Sequence, residues 1–345
     1  MTFSPGDEHA PTWTPDGARI VYTSPGFDLL PRTDGVLLSI PAGGGVAEPL
    51  LPEIQIGTVN PGVLVAPALD GAGGRVAFLQ IQRVLAGTAC VPPPEPVECD
   101  GAFTEFAPML LQARLRVRDL GSAAPPESEP AVELRPEGFR VDLTRGPAGV
   151  GVREFRDLPF QRVLRADGVY ALGPSWGPGG ALVFSDGRAL YTWTPGGGDP
   201  VALPGGEDGI SPAWSPNGEW IAFTRAPLGD STLVTCTQSG AFGVFCVMEQ
   251  TLYEPVEPSV ALARADGSEF RELVLGREPA WSPDGERVFY VTSGGIRSVA
   301  VDGTGDAPVP ETSGGREPAV SPDGALLAFT RPSGGGFDLW ITPVP

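Results

Sequence analysis

Short stretches of alternating or continuous apolar residues recur along the chain, each set behind a turn signal. Six share one frame: Arg19-Ile-Val-Tyr-Thr23, Arg75-Val-Ala-Phe-Leu79, Ala181-Leu-Val-Phe-Ser185, Trp220-Ile-Ala-Phe-Thr224, Arg287-Val-Phe-Tyr-Val291 and Leu326-Leu-Ala-Phe-Thr330. β-Branched and aromatic residues dominate them, and they are too short for helices, so each predicts a β-strand. A further strand follows each, as in Gly295-Ile-Arg-Ser-Val-Ala-Val-Asp-Gly303 and Phe337-Asp-Leu-Trp-Ile341, and a shorter one after that, as in Phe270-Arg-Glu-Leu-Val274.

Ahead of each strand stands a repeated unit: Pro11-Thr-Trp-Thr-Pro-Asp-Gly17, Pro212-Ala-Trp-Ser-Pro-Asn-Gly218, Pro279-Ala-Trp-Ser-Pro-Asp-Gly285 and Pro318-Ala-Val-Ser-Pro-Asp-Gly324. Two looser copies begin at Pro67 and Pro174. Proline presets φ at the first central position of a tight turn, Asp suits the next, and Gly takes the left-handed residue that follows. Turn, strand, strand and short strand, six times over, predict an all-β fold: a six-bladed β-propeller of four-stranded antiparallel blades.

The Pro-x-Trp-Ser-Pro-Asp-Gly unit with its Ile-Ala-Phe-Thr-like strand resembles the repeat of TolB-type propellers, and is similar to the propellers of prolyl-oligopeptidase-type peptidases. The resemblance covers nearly the whole chain and is strongest over 205–345. It implies the fold and leaves function open, because propellers host unrelated activities. TolB-type proteins dock partners in envelope complexes, so the resemblance implies a binding role. They also carry an N-terminal α/β domain, whereas this sequence enters the first blade directly.

The blades are expected near 9–53, 63–145, 172–205, 210–276, 278–312 and 317–345, as one domain over 1–345. The gap between positions 69 and 176 is more than twice a blade of about 42 residues. An insertion or an eroded seventh blade near 109–145 fits it, and the absence of a Pro-Asp-Gly turn there favours the insertion. The last repeat ends at its third strand, so Thr2-Phe3-Ser4 is expected to supply the fourth and close the ring.

Charge narrows the partners. The 345 residues carry a formal net charge of −19, and every one of the 23 cations is Arg. Duplex binding draws on clustered basic residues, so nucleic acid is excluded as a natural partner. No apolar run approaches the ~18 residues of a membrane span. Four cysteines fall as two local pairs, Cys90/Cys99 and Cys236/Cys246. Without C-x-x-C spacing or His partners they read as two disulfides rather than a metal site, and free thiols in a cytosolic chain are the alternative. Disulfides place the protein in the periplasm or outside the cell, with its leader absent from this sequence.

Propeller topology sorts loops by face. The turn after each innermost strand lies on one face. The connections between second and third strands, and those between blades, lie on the other. Both cysteine-bearing insertions, near 80–108 and 225–258, fall on that second face, where Phe103, Phe106, Phe242 and Phe245 supply apolar contact. So do Glu8, His9, Arg277, Glu278, Arg316 and Glu317, which stand just before the innermost strands of blades 1, 5 and 6. They are expected to line one channel mouth as a partner-binding arc; structural ion pairs capping their strands are the alternative.

Other chemistry is thin. Gly173-Pro-Ser-Trp-Gly177 matches the nucleophile elbow, but Ser175 stands in the blade repeat and the sole His precedes it, so no hydrolase is expected. Without Lys there is no Walker loop or Schiff base. A lone His9 cannot build a His-rich centre, and no metal or cofactor is expected. The favoured function is a non-catalytic, monomeric scaffold that binds a protein or peptide. The alternative is a propeller enzyme or enzyme module (lactonase, sugar-lyase or peptidase-associated) holding a metal ion in its channel.

Overall fold

A computed structural model describes residues 8–24, 36–51, 63–85, 109–122, 129–134, 142–146, 149–153, 169–227, 231–239, 245–253, 256–333 and 336–345. The strands form a six-bladed β-propeller. Blade 1 comprises His9–Trp13, Arg19–Ser24, Val36–Pro41 and Glu48–Pro49, running outward from the axis. Blade 2 comprises Val63–Leu69, Arg75–Leu85, Met109–Asp119 and Ala131–Leu134. The stretch 109–134 therefore completes blade 2 and is not a blade of its own. Blade 3 comprises Ser175–Trp176, Leu182–Ser185, Ala189–Trp193 and Val201–Glu207. Gly209–Trp214, Trp220–Arg225, Ser259–Arg264 and Phe270–Leu275 make blade 4, and Arg277–Trp281, Arg287–Thr292, Gly295–Ala300 and Ala307–Pro308 make blade 5. Blade 6 shows three strands, Arg316–Val320, Leu326–Ser333 and Gly336–Pro343. Thr2, Phe3 and Ser4 lie outside the described residues. Just after them, the Glu8 N–H donates to Phe337 O on the third strand of blade 6 at 2.9 Å.

The core lies between blades. Six apolar clusters fill the six seams, including one where Trp13, Ile20 and Tyr22 of blade 1 meet Ala328 and Leu339 of blade 6. The ring is thus closed by the same burial that joins its interior blades. The repeated Trp adds a directional bond across several seams. Trp13 Nε1–H donates to Ala319 O at 2.9 Å, Trp176 to Ala68 O at 3.0 Å and Trp281 to Ala213 O at 2.9 Å, each reaching the preceding blade. Trp214 instead bonds Gly218 O of its own turn, where its ring lies over Gly177.

The Pro-Asp-Gly turns form as their chemistry requires. Ser282 Oγ–H donates to Asp284 Oδ1 at 2.5 Å, and the Glu286 N–H to the same oxygen at 3.0 Å. Ser321 with Asp323 and Thr14 with Asp16 repeat the pattern. In blade 4 the Oδ1 of Asn217 takes the same role. Gly218 has φ of +76° and stands so close to Pro178 of blade 3 that an added Cβ would meet it at 2.6 Å.

Two hairpins stand outside the blades: Asp142–Gly146 with Gly149–Arg153, and Ser231–Ser239 with Phe245–Tyr253. The strand Gly149–Arg153 runs beside Phe245–Tyr253. In the second hairpin Cys236 stands opposite Met248, and Cys246 opposite Gln238, so the two cysteines are diagonal neighbours. Cys90, Cys99, Phe103, Phe106 and Phe242 lie outside the described residues.

Candidate functional site

The innermost strands share an irregularity that builds the channel. In five blades the residue before the repeat's first proline has positive φ: Ala10 (49°), Ala66 (52°), Ser211 (51°), Glu278 (53°) and Glu317 (53°). Each sits in a β-bulge, where the register to the second strand shifts. A side chain pays about 1–2 kcal/mol for this left-handed conformation, so something must hold it.

The holding bonds come from the neighbouring blade. A bulge takes the residue's N–H out of the ladder, and a buried N–H needs a partner. The Ala66 N–H donates to Thr23 Oγ1 of blade 1 at 3.2 Å, and the Glu278 N–H to Thr224 Oγ1 of blade 4 at 2.8 Å. Blade 5 carries Val291 where blades 1 and 4 carry Thr, and there Glu278 substitutes: its Oε2 accepts the Glu317 N–H at 2.7 Å. Across the closing seam Glu317 Oε2 accepts the Ala10 N–H at 3.1 Å and the Thr330 hydroxyl at 2.9 Å.

The six residue–proline pairs, from Ala10-Pro11 to Glu317-Pro318, converge with Tyr170 and Ala171 on a cavity of about 160 Å³ at the axis. At ~30 Å³ per water, that volume suits a few waters and falls short of the ~300 Å³ at which small-molecule pockets begin. Ala10, Ala66, Gly173 and Ser211 keep one side of the wall small, while Glu278 and Glu317 make the other side acidic.

Of the six residues expected in the arc, Glu278 and Glu317 line this cavity. Arg316 stands behind Glu278, with Nη2 at 2.6 Å and Nε at 3.2 Å from Oε1. Arg277 Nε lies 4.0 Å from the same oxygen. His9 Nδ1 lies 3.2 and 3.3 Å from the two oxygens of Glu317. Glu8 is fully buried and accepts from Ser24 Oγ at 3.4 Å. Burial, with a smaller contribution from Glu8's charge, pushes the Tyr22 phenol up to about 12. Burial also raises the Glu317 carboxyl, but the charge and hydrogen bond of His9, with the Ala10 and Thr330 bonds, outweigh it and hold the group below its ordinary range.

The small-residue side of the ring and Tyr170 were missed in the sequence. The signal was present in the prolines at 11, 67, 174, 212, 279 and 318, which hold one frame. Ser175 has a structural role: its Oγ accepts the Trp214 N–H at 2.9 Å. Among the described residues no three His, Cys, Asp or Glu side chains converge as metal ligands, and no helix is long and apolar enough to cross a membrane.

No protein-family description and no curated protein matches the chain. Solved structures do. A putative TolB from Agrobacterium tumefaciens is 14% identical with a TM-score of 0.50, over 99% of this chain and 92% of that one. TolB from Acinetobacter baumannii is 15% identical with a TM-score of 0.49, and the match spans 92% of this chain but only 57% of that one. The tricorn protease is 14% identical at a TM-score of 0.50, and 26% of its length is covered. Identities this low speak to the fold alone. The chain has the TolB-type fold, a six-bladed β-propeller.

Proposed function

We propose that this protein is a non-catalytic, monomeric scaffold, exported to the periplasm or the cell exterior, that engages a protein or peptide at the insertion-bearing channel mouth. The observation that carries it is how the channel uses its ionisable groups. Glu278 and Glu317 are both engaged in joining blades, and the space between the walls holds only a few waters. Among the described residues, the acids that line this small space are committed to holding blades together, whereas a rim that carries long insertions suits surface recognition. The blade 4 hairpin and its neighbour at 142–153 add surface on the side from which a partner would approach.

A random-peptide display selection against the whole chain tests this. Peptides are expected to be enriched, to compete with one another, and to slow amide exchange at the inner-strand starts of blades 5, 6 and 1. Replacing Ser231–Tyr253 by a short turn is expected to abolish their binding. Failure to enrich any peptide, or binding indifferent to that replacement, would overturn the proposal.

A further inference from the structure

We infer that Tyr170 and His9 form a strap across the channel mouth, closed when His9 is charged and loosened when it is neutral. Tyr170 belongs to the short 3-10 turn Val169–Leu172 ahead of blade 3, and it lines the channel. His9 opens the inner strand of blade 1, two blades away. Their rings nevertheless stack, with centroids 4.3 Å apart and planes inclined by 20°. Phe337 of blade 6 backs the imidazole at 5.1 Å, and Glu317 of the same blade faces its Nδ1. One line of contacts thus runs from blade 3 through Tyr170, His9 and Glu317 to blade 6, bypassing blade 2.

The imidazole charge sets the strength of two of these contacts. An imidazolium makes a charge-assisted bond to the Glu317 carboxylate and a cation–π contact with the Tyr170 face. A neutral ring keeps an ordinary hydrogen bond and plain stacking. Among the described residues, the ring is faced from several elements. Blade 6 presents Glu317 and the uncharged Phe337, the turn before blade 3 presents the Tyr170 phenol, and the second strand of blade 1 places uncharged Thr23 opposite in the ladder. Glu8, one residue back, meets Ser24, and Arg316 meets Glu278. Glu317 is the carboxylate that faces the imidazole Nδ1. Loss of the imidazole proton weakens both contacts, so the strap is set to loosen as pH rises.

Ser211 lines the same channel from blade 4, and Ser211→Cys is a near-isosteric probe of access. Alkylation of Cys at that position by iodoacetamide, read by peptide mapping, is compared with the same reaction in a His9→Gln background. The ratio of the two rates removes the pH dependence of the thiol itself. At about pH 5.5 the His9 protein is expected to react several-fold more slowly than the Gln background, and by about pH 8 the two should converge. Adding Tyr170→Ala should give fast alkylation at both pH values. Equal rates in the His9 and Gln backgrounds throughout, or no effect of Tyr170→Ala, would overturn the strap. Neither result depends on whether a peptide binds at the mouth.

Discussion

At the scale of residues, one oxygen at the second position of the turn unit organises the entry into the second strand in blades 1, 4, 5 and 6. Asp16, Asp284 and Asp323 all accept from a Ser or Thr hydroxyl and from a backbone N–H two residues on. These bonds, led by the side-chain one, hold their carboxyls below the ordinary range. Asn217 does the same with an amide oxygen, so the charge is dispensable and the acceptor is not. Asp284→Asn is therefore expected to leave the melting temperature nearly unchanged, while Asp284→Ala, which strands two donors, should cost about 1 kcal/mol in urea unfolding. Tyr22 makes a second test. With its folded pKa raised to about 12, the unfolded chain loses the phenol proton first. Stability should then fall as pH rises from about 10 toward 12, by at most ~1.4 kcal/mol per pH unit, and Tyr22→Phe should flatten that fall.

At the scale of elements, the strands were legible because period-2 patterning and turn chemistry are local properties. The bulges were not. A residue before proline is steered away from helical backbone toward extended conformation, so nothing local predicts Ala66 or Glu278 at positive φ. That conformation is imposed by bonds from the adjoining blade, which sequence order conceals. The cysteine hairpin shows a similar limit. Local spacing pairs Cys236 with Cys246, yet the ladder sets them diagonally, where Cα separations run ~7–8 Å against the ~4.4–6.8 Å of a disulfide. Mass mapping under non-reducing conditions is expected to find the Cys236–Cys246 peptide; free thiols, or links to Cys90 or Cys99, would exclude it. The closing strand has a comparable test. If the expected strand Thr2-Phe3-Ser4 continues the pairing seen at Glu8–Phe337, its ladder bonds go with it when it is removed. A chain beginning at Asp7 should then lose on the order of 2 kcal/mol, about one per ladder bond removed.

At the scale of the whole molecule, ring closure joins the start and end of the chain into one seam, where Glu8 and His9 meet blade 6, while Arg316 and Glu278 meet across the next seam, between blades 5 and 6. That blades 5, 6 and 1 follow one another round the ring was legible once six repeats were counted. Which residue bonds which was not, because those bonds run between blades that sequence order keeps apart. The two arginines separate structure from recognition. Arg316 is bonded to a Glu278 only 6% exposed, so removing it leaves a nearly buried carboxylate without that cation. With Arg316 itself 27% exposed, solvent offsets part of the loss, and about 1–3 kcal/mol is expected for Arg316→Ala. Arg277 lies 4.0 Å from the same carboxylate and is 32% exposed, a contact worth ~0–1 kcal/mol. Arg277→Ala should therefore cost less stability than Arg316→Ala. If the mouth is where a partner docks, that variant still loses affinity for the display-selected peptides, because an exposed guanidinium at the rim contributes to encounter and orientation more than to the fold. Unchanged melting with unchanged peptide affinity would place recognition away from the blade 5 side of the mouth. A large loss of stability would instead show that Arg277, like Arg316, serves the seam.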